Sequence, residues 1–401
     1  MENHRAIIVG AGPAGASLSF LLARRGIEVV LLERNTDFAR EFRGEGLVPS
    51  GIDALRQMGL PLERLPQSRI KAIEVFAAGH DPVRLELPAS EEMRVVSQPA
   101  LLEMLVAKAA GFPGFRLERG ATVRELTYAG ERVAGIIADS PEGTLDLRAD
   151  IVIGADGRSS VVRKRAGLHE VRNPQEFDVV WCKVPMAEFM IRRGAACAYI
   201  WRDHGALAFP SYDGRLQIGW AIRKGAFVGL RRRGIEAWVN EMAAYVEPEL
   251  AAHLRANIAT ITQPFVLDVI CDRLDKWTRP GLLLIGDAAH PMSPVGAQGI
   301  NMALRDALVA ANVLVPPLLG GAGATELDAA ALEVSAQRMS EVTAIQRAQR
   351  ISGLAFGESW YGKLLIALML QVLARPWIAT RLFNFARSSF ASGTTELRLS
   401  V

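Results

Sequence analysis

The 401-residue sequence predicts an α/β fold: an open, largely parallel sheet wound with helices, interrupted by an antiparallel β-sheet and closed by C-terminal helices. Three observations predict it. Residues 5–34, RAIIVGAGPAGASLSFLLARRGIEVVLLER, read as strand, glycine-rich turn, helix and strand. Two further apolar strands, IVIGADG at 151–157 and GLLLIGDAAH at 281–290, each end in glycine close to aspartate. Between them, residues 176–269 carry short β-branched and aromatic runs (FDVVWCKVP, ACAYIWR, ALAFPSY, RLQIGWAIR) broken by Gly, Asp and Pro.

The first unit fixes a chemistry. Gly10, Gly12 and Gly15 stand in G-x-G-x-x-G spacing. The first glycine permits the turn, the second lets a pyrophosphate approach the backbone, and the third allows close helix–strand packing. The spacing predicts a helix over Pro13–Arg25 whose N-terminal NH groups face the phosphates, ended by Gly26. A strand over Ile27–Leu32 follows, and Glu33, eighteen residues after Gly15, is placed to accept both ribose hydroxyls. A carboxylate there repels a 2′-phosphate, so the Rossmann-type unit predicts NAD or FAD, not NADP.

With all three strand-end motifs in this order, the chain resembles the class A flavoprotein monooxygenases, the p-hydroxybenzoate hydroxylase-like, FAD-dependent aromatic hydroxylases. FRGEGLVPSGIDALRQMGL (42–60) is similar to the family's arginine–glycine segment, and RVVSQPALLEML (94–105) to its glutamine-bearing helix start. The resemblance covers residues 1 to about 310 and implies FAD as the bound cofactor. It implies that Glu33 holds the adenosine ribose, Arg43 and Gln98 the pyrophosphate side, and Asp287 the ribityl chain. Gly299, Ile300 and Asn301 would aim backbone NH groups at the pyrimidine edge, where reduction leaves negative charge. Gly10, Gly12, Ala14, Gly15, Arg34, Val123, Gly286 and Pro294 complete the expected cofactor surface. Asp156 either caps the helix after it or touches the cofactor, and Arg163 is expected at the surface or near a phosphate. His290 and Pro294 line the flavin loop; for His290, hydrogen bonding that fixes the loop is favoured over catalysis, because no nucleophile lies nearby in sequence. No acid–base catalyst is assigned.

The implied activity is hydroxylation of a phenolic or fused-ring aromatic small molecule, using NADH or NADPH as transient reductant and O2, through a flavin C4a-hydroperoxide. The alternatives are an FAD-dependent prenyl-chain reductase or epoxidase of the same fold, or a non-catalytic flavoprotein that binds its ligand without turnover.

Residues 1–70, 95–175 and 270–335 are assigned to a discontinuous FAD-binding domain, 71–94 and 176–269 to a β-sheet substrate domain, and 336–401 to a C-terminal helical segment. A hairpin turn is predicted at Asp213-Gly214, an outer helix over Gly234–Val246, and a flexible loop over 318–328. Tyr199, Trp201, Phe209, Gln217 and Trp220 are the substrate-binding candidates, with Arg215 as a further polar anchor. On strands, Tyr199 and Trp201 share a face, as do Ile218, Trp220 and Ile222; one set is expected to line the pocket and the other to face solvent or helix. Residues 363–387 hold four basic residues and no acid, which predicts either a terminal helical layer over the active site or peripheral contact with a membrane surface.

A net charge of +3 is too mild to suggest a nucleic-acid partner, and Arg231–Arg233 read as a solvated turn. Cys182, Cys197 and Cys271 are odd in number and lack metal-ligand spacing, which favours a reducing compartment and no metal. No leader segment is read before the first strand, so the expected location is cytoplasmic, with inner-membrane contact if the 363–387 segment docks.

Overall fold

The computed structural model describes residues 5–39, 45–77, 79–201, 204–262, 264–353 and 393–401. Arg43 and the 363–387 segment lie outside the described residues.

Five parallel strands form the central sheet, in spatial order Leu282–Leu284, Ile151–Gly154, Arg5–Val9, Glu28–Glu33 and Phe115–Arg119, with the antiparallel pair Thr278–Arg279 at one edge. The near-continuous apolar runs of the first four are what a sheet covered on both faces requires, while the edge strand Phe115–Arg119 alternates with charged residues. Because the strands are parallel and in register (Val9 beside Leu32 and Gly154, Gly154 beside Leu284), their carboxyl ends share one edge. Open sheets bind ligands at that edge.

Helix Pro13–Arg24 buries every residue from Ala14 to Ala23 between this sheet and helix Gln298–Leu319. The latter is apolar nearly all round, as a helix enclosed on all sides must be. Residues 295–319 form the one stretch long and apolar enough to cross a membrane among the described residues, and 72% of its most apolar window is buried inside the fold.

A second, seven-stranded sheet runs in the order Phe265–Leu267, Phe177–Val184, Leu216–Arg223, His204–Pro210, Ala196–Trp201, Ala72–Ala77 and Val83–Glu86. Its pairings are antiparallel except where Ala196–Trp201 runs parallel to Ala72–Ala77. The turn between His204–Pro210 and Leu216–Arg223 contains Asp213-Gly214, with Gly214 at φ +75°. Helix Ile235–Ala243 lies on its outer face, where Trp238 stacks on Trp220 at 6.3 Å.

Two sequence expectations are corrected. The segment 318–328 is not a loop along its length: helix Gln298–Leu319 ends, and a 30-residue helix, Ala324–Gly353, starts after four residues. Glu326 secures that start by accepting from the Gly323 NH at 2.9 Å. The final residues 393–401 are not helical. Over residues 397–400, two side-chain amides bind the backbone as a neighbouring strand would. Gln57 donates to the Leu397 carbonyl (2.9 Å) and accepts from the Leu399 NH (2.6 Å). Asn312 does the same with Arg398 and Ser400 at 2.7 and 2.8 Å. Leu397, Leu399 and Val401 pack on the core.

All three cysteines are free and buried. Burial pushes Cys182 up to about 12 and Cys197 up to about 11. Since the thiolate is the reactive form, both are expected to resist a soluble thiol reagent at pH 8 in the native state and to react fully once the chain is unfolded in urea. Rapid native labelling would contradict their placement.

Candidate functional site

The glycine turn is built by close backbone approach. A Cβ on Gly10, which sits at φ +99°, would lie 2.5 Å from the Ala155 carbonyl oxygen. A Cβ on Gly15 would lie 2.0 Å from the Gly10 carbonyl oxygen. Gly12 is the opposite case: nothing lies within 4 Å of where its Cβ would stand. Helix Pro13–Arg24 starts there with no side-chain cap, so first-turn NH groups, which have no intrahelical acceptor, face open space.

The other two motifs close on the same turn. Gly10 touches Ala155–Asp156, while a Cβ on Gly286 would stand 3.1 Å from the Ala14 methyl group. Arg163 locks the second motif to the third. Of the two expected places, surface or near a phosphate, the surface is excluded: Arg163 is buried, and donates to the carbonyls of Ala288 (2.9 Å) and Arg158 (2.7 Å) while facing Glu170 at 3.1 Å.

Glu33 is buried at its strand end. One oxygen accepts from the Ala11 NH and the other from the Asn35 NH, each at 3.0 Å, and the Asn35 amide adds a third bond. The carboxylate therefore braces the glycine turn from the position predicted for ribose recognition. Arg34 beside it is exposed. Val123 is buried on strand Thr122–Ala129, two residues after the Ala121 NH that donates to the Glu33 carbonyl at 3.0 Å. Gln98 heads helix Gln98–Ala109, capped by Ser97.

Asp156 acts as a helix cap: it accepts from the NH groups of Val161 (2.6 Å) and Val162 (3.1 Å) and from the Ser160 hydroxyl (2.5 Å). Burial nonetheless pushes its carboxyl above the ordinary range. Asp287 is one-third exposed, with Arg158 Nε at 3.4 Å.

After His290 the chain reaches Pro294, then Gly296 at φ +73° and Ala297 at φ +53°, the single non-glycine residue with positive φ among the described residues. That left-handed alanine costs roughly 1–2 kcal/mol and re-aims the chain into helix Gln298–Leu319, which also starts without a side-chain cap. Nothing stands within 4 Å of a Cβ on Gly299. Ile300 is buried in the core. The Asn301 side chain is fully engaged: Oδ1 accepts from the Val48 NH at 3.1 Å, and Nδ2 donates to the carbonyls of Gly46 (3.0 Å) and Ala297 (2.5 Å). It ties strand Gly46–Leu47 to the helix start, which leaves its backbone for any ligand.

A buried polar network anchors this region, and sequence reasoning missed most of it. His290 Nε2 donates to Asp306 Oδ2 at 2.6 Å, and the Gly286 NH donates to the same oxygen at 2.9 Å. Arg338 Nε donates to Asp306 Oδ1 at 2.8 Å and also pairs with Glu341, which Arg305 grips with two bonds at 2.7 and 3.1 Å. Burial alone would raise the Asp306 carboxyl, but His290 and Arg338 hold it at about 2. His290 is thus a loop-fixing residue. The adjacent charged pair Arg305-Asp306 within a largely apolar helix was the available signal for this network.

The seven-stranded sheet divides the substrate-binding candidates between its two faces. Tyr199, Trp201 and Trp220 all belong to one apolar cluster with Ile218, Ile222 and Trp238, on the outer helices. Register explains why: Ala206 pairs with both Tyr199 and Trp220, so the two sets expected on opposite sides lie in line on the same side. Arg215 is also structural, donating to the carbonyls of Lys183 (2.9 Å) and Thr260 (3.3 Å).

The opposite face carries Phe209, Gln217, Trp181 and Lys183. Lys183 pairs across the ladder with Gln217, and Gln217 with Phe209. Trp181 meets Phe209 edge-on at 6.0 Å and lies against Gly219, where a Cβ would stand 2.6 Å from the ring. Val295 of the loop packs on this face beside Phe177, Val179 and Ala221. Lys183 is buried, 3.0 Å from Asp213 and 4.0 Å from Glu45, whose neighbour Gly46 abuts Ala297. Gln217 Oε1 is buried without a hydrogen-bond partner among the described residues.

Uncapped helix starts and open backbone at Gly12 and Gly299, gathered near one sheet edge, fit an elongated dinucleotide and define a flavoprotein of the FAD-binding α/β class. The FAD binding domain family matches residues 3–344, and the chain belongs to it. It is 35% identical over 324 residues to 6-methylpretetramide 4-monooxygenase of Streptomyces rimosus, covering 77% of this chain and 74% of the relative. It is 25% identical over 331 residues to digeranylgeranylglycerophospholipid reductase 2 of Methanothermobacter thermautotrophicus, covering 79% and 78%. Among solved structures, PqsL of P. aeruginosa, in complex with 2-aminobenzoylacetate, superposes with a TM-score of 0.78 at 20% identity, covering 89% of this chain and 97% of that one. The chain is an FAD-dependent monooxygenase of this family.

Proposed function

We propose that this monooxygenase hydroxylates a phenolic or fused-ring aromatic small molecule held between the inner face of the seven-stranded sheet and the start of helix Gln298–Leu319. One observation carries the reading: through Lys183 and Glu45, and through Val295, that sheet face meets the loop where the flavin's pyrimidine edge is expected. Bound FAD would supply two-electron uptake from NADH or NADPH and activation of O2. The chain's own tasks are to bind, orient and keep the site dry. Glu33, Asp287 and the NH groups after Gly12 would hold the cofactor. The NH groups of Gly299, Ile300 and Asn301 are placed to stabilise negative charge at its pyrimidine edge. Trp181 and Phe209 offer an aromatic wall, and Gln217 Oε1 offers an acceptor to a substrate hydroxyl. The domain assignments (FAD-binding 1–70, 95–175 and 270–335; sheet 71–94 and 176–269) follow from this arrangement as part of the proposal.

The test is a screen of aromatic ligands scored by stimulated NAD(P)H consumption, with product mass checked for a gain of one oxygen. For a ligand that passes, Gln217→Leu should raise KM about tenfold, as loss of a hydrogen bond to a buried polar group predicts, whereas Tyr199→Phe should leave KM unchanged. The reverse ranking would place the substrate on the wrong face. The similarity to the reductase supports a second reading, prenyl-chain reduction, which anaerobic turnover of a polyprenyl substrate would reveal.

A further inference from the structure

Strand Leu216–Arg223 turns Leu216, Ile218, Trp220 and Ile222 to the outer helices, and so Gln217, Gly219 and Ala221 to the inner face. Gly219 stands in the middle of that inner series, paired with Trp181 on one side and Leu207 on the other. Its backbone does not require glycine, because its φ is not positive. A glycine inside a strand weakens it, and one reason to keep it is close approach by another group. Here that group is an indole. A Cβ on Gly219 would stand 2.6, 2.8 and 3.0 Å from Cζ3, Cη2 and Cε3 of Trp181, three consecutive atoms of its six-membered ring.

Trp181 joins the two apolar clusters of the inner face. It packs with Ile70, Val95 and Phe209 in one, and with Phe177 and Val179 in the other, where Val295 brings in the loop before Gly299. The indole is only half-buried, so part of it stays open to a ligand. A side chain at 219 would point the same way as the ring and lift it off the sheet, into the space assigned to the substrate. The obstacle is a side chain and not backbone, so the ring can yield while the strand stays in place.

We propose that Gly219 sets the specificity of the site: by carrying no side chain it seats Trp181 against the sheet and leaves depth over the indole for a planar fused-ring substrate, which is bound in preference to a single ring. The inference rests on the reading that the substrate lies on this face. Gly219 is a positioning residue, acting through Trp181. A second fused ring adds flat area to lay against the indole, with Phe209 meeting it edge-on. The purely structural role of such a pair, an aromatic ring covering a strand glycine, would affect stability and treat every ligand alike.

Calorimetric titration of the flavin-loaded protein with resorcinol and naphthoresorcinol, which carries the same two hydroxyls on a fused pair of rings, tests the difference. Naphthoresorcinol should bind at least about tenfold tighter, the upper end of what one aromatic stack supplies. Gly219→Ala should erase that preference by weakening naphthoresorcinol about tenfold while resorcinol stays within about twofold. Adding Trp181→Phe to Gly219→Ala removes the outermost ring atoms, Cζ3 and Cη2, and should restore the preference. Equal weakening of both ligands, no recovery in the double variant, or a Gly219→Ala chain that no longer retains FAD would each overturn the proposal. If resorcinol binds and stimulates NAD(P)H consumption but naphthoresorcinol binds no tighter, the inference fails and the monooxygenase reading stands. If neither ligand binds, the placement of the substrate on this face falls with it.

Discussion

Asp306→Asn should destabilise the protein by about 3–5 kcal/mol, the cost typical of removing one partner from a buried ion pair. Asp306 is fully buried and receives three donors from two parts of the chain: the Gly286 NH and His290 of one loop, and Arg338 of the helix Ala324–Gly353. Asparagine keeps the shape but removes the charge that compensates buried Arg338. It also replaces an acceptor with an NH2 group that faces a donor. The loss should appear in urea unfolding and, because the Gly286-Asp287 turn is released, as weaker retention of FAD. The sign of the pH dependence follows. A carboxyl held at about 2 when folded, against an ordinary 3.8, contributes about 2 kcal/mol that is fully present above pH ~4. That contribution is lost as pH falls from about 4 to 2. The gap between wild type and variant should therefore narrow by about 2 kcal/mol at acid pH. A constant gap down to pH 2 would show that the charge is not what stabilises the site.

Gly15→Val should abolish FAD binding by a different route. The added Cβ would stand 2.0 Å from the Gly10 carbonyl oxygen and 3.2 Å from the Ala155 methyl group, and the first contact is backbone that cannot rotate away. The helix must move off the strand, and its NH groups move with it. Misplacement of about 1 Å costs about 100-fold where geometry is what matters, and a fall of that order in FAD affinity is expected, with a lowered melting temperature. Gly12→Ala is the contrast. At φ −70° with open space above it, Gly12 accepts a methyl group without backbone strain. That variant should fold normally and still lose FAD, because the methyl group stands where the pyrophosphate must approach. If Gly12→Ala retains FAD at wild-type affinity, the open space over Gly12 is not the phosphate site.

The glycine turns were legible because each of their glycines answers a local demand, such as the positive φ of Gly10 or the contact of Gly15 with Gly10, and local demands leave a mark in spacing. The alternation that put Tyr199 with Trp201, and Ile218 with Trp220, was equally local. Which way those faces turn was not, since it depends on the register between strands. Asn301 shows the same limit. Its place near the helix start could be read, but its side-chain partners, Val48 and Gly46, lie 253 and 255 residues away. Lys183 and Glu45 each look like ordinary surface residues until two sheets bring them together. The tail is a different case. Leu397, Leu399 and Val401 alternate with a period of two, a local signal that the helical reading of 336–401 passed over, and they pack on the core beside Gln57 and Asn312.

The most direct measurement is the visible absorbance and extracted-cofactor content of the purified chain. Three strand-end turns meeting at one edge, as Gly10, Ala155 and Gly286 do, predict a yellow protein with one FAD per chain, and Glu33→Ala should release that FAD more readily. A colourless protein that binds NAD tightly and ignores added FAD would contradict the account.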